Sequence, residues 1–103
     1  MVKRSENEIA ILAQFTAKEG KGEALLAEIY KVMGLTLAEP GCKRFVLYQN
    51  IDNPGLLFVT EKFASQEAFD FHLAQPYVKN LLEKVVPELV EVQSITFHKE
   101  VLP

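Results

Sequence analysis

One cysteine, two histidines and no tryptophan stand in a chain of 103 residues. A lone Cys42 excludes an internal disulfide and a cysteine-rich metal cluster, and that scarcity fits a reducing compartment. No stretch approaches the ~20 apolar residues of a membrane-spanning helix. The apolar run "IAILA" is too short for the core of a secretory signal. A cytoplasmic protein that avoids membranes is the resulting expectation. Basic residues are also short, with 11 Lys and Arg against 14 Asp and Glu for a net charge of −3. "VKR" near the start is followed closely by Glu6 and Glu8, so no cluster is available to neutralise a run of phosphates. Nucleic acid is not an expected partner. Phosphate loops, dinucleotide fingerprints and Ser-His-Asp constellations are missing too. No cofactor and no metal are expected.

What is present is apolar and evenly spread. Hydrophobic residues make up 49% of the chain, enough at this length for one domain, 1–103, with a core of its own. "EIAILAQFTA" (8–17) reads as a strand that ends at the polar "KEGKG". Leu25, Leu26, Ile29, Val32, Met33 and Leu37 then recur at three-to-four spacing, the stripe of an amphipathic helix. "EPGC" (39–42) stops that helix, because proline cannot continue it and glycine turns the chain. "KRFVLYQNI" (43–51) and "LLFVTEKF" (56–63) are strands joined by the turn "DNPG", which makes an antiparallel hairpin. Ser65 is placed to cap a second helix carrying "EAFDFHLA". Pro76 bends or restarts the helical path through "YVKNLLEKVVPELV". "EVQSITFHKEV" (91–101) is the last strand.

The order β-α-β-β-α-β defines an α+β fold, the ferredoxin-like split βαβ arrangement, with helices on one face of an antiparallel sheet. The strands are apolar on both parities: Ile9, Ile11 and Phe15 on one side, Ala10 and Leu12 on the other. A half-covered sheet does not call for that pattern. A homodimer packed through the open sheet face is therefore expected.

These segments together resemble the antibiotic biosynthesis monooxygenase (ABM) domain family. The likeness is carried by "AKEGK", "EPGC", "VLYQN", "EKF" and "AFDFHLAQPYV", in that order over nearly the whole chain. The resemblance implies a dimeric α+β barrel, a pocket between helices and sheet, and a cofactor-independent oxidation of a quinol-like substrate. The chain departs from the pattern where Phe63 replaces a frequent tryptophan and Tyr77 replaces a frequent second histidine. Related haem-degrading members use an Asn, a Trp and a His as a set. Their matching positions here are Ala13, Phe63 and Tyr77, which argues against haem degradation.

His72 is the residue on which the chemistry turns. Its neighbours Ala68, Phe69 and Pro76 place it on the sheet-facing side of the helix. With an ordinary pKa near ~6.5, an imidazole there either moves protons or is a core histidine with satisfied nitrogens. Glu61 shares a strand face with Leu57, Val59 and Phe63, where a carboxylate needs a partner. It either orients His72 or pairs with a lysine at the surface. Phe63, Tyr77, Tyr48 and Gln14 are the expected substrate-binding residues, each with a core or dimer-contact reading beside it. Phe45, Phe58, Phe69 and Phe71 read mainly as core, His98 as an exposed or dimer-face residue, and Cys42 as structural. Three functions stay open: a monooxygenase acting on a small phenolic or quinol-like molecule; an isomerase of a small phosphorylated carbonyl compound, with Lys62 and Arg44 the nearest cations; and a ligand-binding dimer without catalysis.

Overall fold

A computed structural model describes all residues, Met1–Pro103. The elements run β1 (Lys3–Arg4), β2 (Ile9–Ala17), α1 (Gly22–Leu37), β3 (Cys42–Gln49), β4 (Leu56–Phe63), α2 (Gln66–Leu73), α3 (Pro76–Asn80), a π-helical turn (Leu81–Val85), α4 (Val86–Leu89), β5 (Val90–His98) and β6 (Val101–Leu102). Four strands form one antiparallel sheet in the order β3-β4-β2-β5. That is the ferredoxin-like topology. The small strands β1 and β6 pair separately.

Strand parity decides what each face does. Ile11, Ala13, Phe15 and Ala17 of β2 are buried with Leu57, Val59 and Phe63 of β4 and Phe45 of β3. Against them pack Leu25, Ile29 and Val32 of α1. The alternate residues form the other face, where Leu12 is 47% exposed, Tyr48 48% and Val92 60%. The sheet is thus apolar on both sides, and the helices cover only one.

Local chemistry sets the helix ends. The Oγ of Ser65 accepts from the Ala68 N–H at 3.1 Å, capping α2 as expected. Pro76 occupies the first turn of α3, and Gln75 before it is extended (φ −72°, ψ 140°), the conformation proline imposes on its predecessor. In the π-helical turn the Val86 N–H reaches back to the Leu81 carbonyl. Pro87 follows at once and has no N–H for the Glu83 carbonyl, so the ladder cannot resume in α register there.

Three expectations need correcting. Leu37 is exposed, and Thr36 takes the fourth buried place on α1 after Leu25, Ile29 and Val32. The buried stripe advances by four, three and four residues, so Leu37 falls one step past it. The last strand does not run to residue 101; it ends at His98, and Val101–Leu102 pairs with Lys3–Arg4 instead. Two-residue strands carry no period to read. The helical path after Pro76 comes in three pieces rather than one or two.

Candidate functional site

Three elements bring titratable groups together beneath the helices. Glu39 follows the end of α1, Glu61 lies on β4 and His72 on the last turn of α2. The buried Nδ1 of His72 lies 2.8 Å from Glu39 Oε2. The Tyr77 hydroxyl, at the start of α3, donates to the same oxygen. Burial first, then the hydrogen bond to Glu39 and its charge, hold the Tyr77 hydroxyl far above its usual range. It therefore remains a donor. With Oε2 accepting, the ring proton is assigned to Nδ1, which leaves the Nε2 lone pair facing the other way.

Nε2 faces Glu61. The separation from Glu61 Oε1 is 3.4 Å, long for a hydrogen bond, and that oxygen accepts none from the protein. Burial, and secondarily the charge of Glu39, push Glu61 up to about 7 from an ordinary 4.5. Near neutral pH Glu61 is thus poised to gain or lose a proton. A second carboxylate oxygen, Glu39 Oε1, is likewise buried without a partner.

His72 and Glu61 open onto an apolar cavity of about 70 Å³. Its walls come from Ile11, Ala13 and Phe15 of β2, Phe45, Val59, α1 and the π-helical turn. Leu73, Leu82 and Ile95 line it while remaining more than a third exposed, so they form its mouth. Such a volume holds about two waters, well below the ~300 Å³ of a small-ligand pocket.

The expected site residues divide sharply. Glu61, left open between His72 and a surface lysine, stands 3.4 Å from the His72 ring. Phe63 is fully buried with its ring centroid 4.8 Å from that of His72, so it backs the imidazole and does not line the cavity. Tyr77 spends its hydroxyl on Glu39 rather than on the cavity. Gln14 and Tyr48 lie on the uncovered sheet face, where both flank Phe58 across the strands. Their parity is opposite to that of Glu61, and the sheet itself separates them from the cavity. Lys62 and Arg44 fall on that same far face and pair in register; Lys62 binds Glu100. Of the phenylalanines, Phe45 and Phe69 line the cavity with Phe15, whereas Phe58 and Phe71 are exposed. His98 is exposed and bonds Thr96 Oγ1 at 2.7 Å. Cys42 is half-buried; burial pushes its thiol up, the opposite of an activated nucleophile.

The residue that sequence reasoning missed is Glu39. It was visible only as part of a helix stop. One local signal did exist: a carboxylate directly after a helix C-terminus opposes the macrodipole, an inconsistency that asks for a reason.

A family model described as antibiotic biosynthesis monooxygenase matches residues 8–84, and the chain belongs to that family. A protein from Mycobacterium tuberculosis named "Putative monooxygenase Rv0793" is 30% identical over 88 residues, covering 85% of this chain and 86% of that one. Among solved structures, protein SO0527 from Shewanella oneidensis is 34% identical, with a TM-score of 0.95 over 100% of both chains. The structure of Rv0793 itself superposes with a TM-score of 0.81, covering 88% of this chain and 92% of that one.

Proposed function

We propose that the protein is a monooxygenase that oxidises a small phenolic or quinol-like molecule with dioxygen, using His72 and Glu61 to remove a hydroxyl proton. The observation that carries this reading is a buried imidazole fixed at Nδ1 by Glu39, with Nε2 and the unpartnered Glu61 Oε1 turned to an apolar cavity. Membership of the family supports the reaction class. Glu39 is a positioning residue: it selects the tautomer that leaves Nε2 free to accept.

Loss of the proton leaves an electron-rich anion, and that anion reduces dioxygen. A ring C–H becomes C–O, the second oxygen atom leaves as water, and the quinol supplies all four electrons. The chain contributes the base, a dry environment and orientation; base catalysis is typically worth ~10²–10⁴-fold. The isomerase alternative lacks a Lys or Arg among the cavity-lining residues to hold a phosphate. The binding-only alternative draws support from the cavity's small size.

The test is dioxygen consumption over a panel of quinols. His72→Ala is expected to lower turnover at least tenfold while the fold persists. Unchanged turnover removes His72 from the chemistry. Absence of turnover in the parent protein alongside measurable ligand binding favours the binding module.

We also infer a homodimer through the uncovered face, where Leu12, Tyr48, Phe58 and Val92 are exposed. Sedimentation equilibrium at micromolar concentration should give twice the chain mass; a monomer refutes it.

A further inference from the structure

The cavity is one end of a longer feature. β5 is the edge strand beyond β2, and its residues after Val90 stay exposed. Its helix-side residues Ile95 and Phe97 sit across from Ala13 and Ile11, yet they remain 38% and 60% exposed. Helix α2 stands opposite, with Leu73 and Phe69 on its inner side. Between these banks runs an open trough of about 740 Å³, extending over Phe69 and Phe97 to Ser65 and Lys99. Phe69 belongs to both spaces. Its ring stacks toward His72 at 6.1 Å on one side and meets Phe97 edge-on at 5.6 Å on the other.

We propose that the site takes elongated phenols, with the hydroxyl end directed at Glu61 and His72 and an apolar or aromatic body lying in the α2–β5 trough across Phe97. This rests on the site reading above and adds the shape of the ligand and its specificity-determining residue. Three observations converge on it. The cavity has room for a hydroxyl and little more, so most of any ligand must lie outside. Phe69 lines both spaces, and Ile95 at the cavity mouth stands two residues before Phe97 on the same face of β5. The trough offers an edge-to-face aromatic pair, the arrangement into which another ring packs well. Its polar far end mixes Glu6, Glu67 and Lys99, with Lys99 held on the Glu6 carbonyl at 2.7 Å. The body is therefore taken to be uncharged.

Binding of phenol and of 4-phenylphenol, followed by NMR on the His72 imidazole and the β5 amides, tests this. The expected result is 4-phenylphenol binding roughly tenfold or more tightly than phenol, from burial of the second ring. Both compounds should move the His72 resonances. In Phe97→Ala, a change at an exposed position, the ratio should fall to near unity while phenol affinity holds. An equal affinity for both compounds, or a ratio unchanged in Phe97→Ala, overturns the trough assignment alone. Shifts on β5 without any at His72 also overturn it. Phenol leaving His72 unmoved refutes the site reading itself. If Phe97→Ala changes the oligomeric state, the aromatic bank belongs to an interface between copies and the proposal falls.

Discussion

Replacing Glu61 by glutamine should make the protein more stable in mild alkali and leave it nearly unchanged in acid. Glu61 is largely enclosed among Phe45, Val59 and Phe69, its buried Oε1 has no hydrogen-bond partner, and its folded pKa is about 7 against an ordinary 4.5. Between those values the folded state holds a proton that the unfolded chain has released. The folded state binds more protons there, so stability falls as pH rises through that window. At 1.36 kcal/mol per pH unit, the gap between 4.5 and about 7 costs about 3 kcal/mol once Glu61 is fully ionised. Glutamine keeps the shape and has no charge to desolvate. Urea unfolding at pH 4.5 and pH 8.5, at matched protein concentration, should show Glu61→Gln gaining up to about 3 kcal/mol on the parent at the higher pH only. For a domain of this size the gain corresponds to a Tm rise on the order of 10 °C. A difference independent of pH refutes the reasoning. A parent that outperforms the variant in alkali would mean that Glu61 is ionised against a charged imidazole.

The rate should carry the same signature: if Glu61 must shed its proton for the site to act, kcat rises with pH and levels off above about 7, and a flat profile from pH 5 to 9 contradicts the base role. Glu39→Gln removes the charge that contributes to the raised Glu61 pKa, so it should shift the rising limb to lower pH and cut turnover tenfold or more; a loss of turnover with no shift would reduce Glu39 to a structural part. Leu57→Ala, at a fully buried position away from the cavity, should cost about 2–5 kcal/mol in denaturant unfolding yet leave turnover intact at low temperature.

The fold was legible because each element carries its own period. The β4 strand falls on the residues that alternation and the flanking turn marked, 56–63, and the Ser65 cap sits where its side chain is needed. That Glu61 and His72 both face inward was legible for a similar reason, from strand parity and helix face, while the partner of Glu61 stayed open between His72 and a surface lysine. Tyr48 and Gln14 show the limit of parity reading. A polar residue in a two-sided apolar strand belongs to one face or the other, and only the register with β4 decides which. Glu39 was hidden because its burial comes from α2 closing over it, a contact 33 residues distant in sequence. The π-helical turn adds an extra residue that breaks helical phase, so Leu81 and Leu82 could not be assigned a side in advance.

Gly41 explains how such a site keeps its dimensions. A Cβ built there would lie 2.3 Å from the Ala68 Cβ, and the Gly41 carbonyl accepts from the Ala64 N–H at 2.9 Å. The chain after α1 and the start of α2 therefore meet backbone to backbone, with almost no side chain between. Glu39 stands two residues before this contact, and His72 one helical turn after it. The acid and the imidazole are gauged by a hard stop rather than by flexible packing. The cavity mouth at Leu73 and Leu82, and Phe97 of the trough, lie outside that gauge. Substitutions there can remodel which molecule fits while Glu39 and His72 stay in register, so under the proposed function selectivity and chemistry are free to change separately.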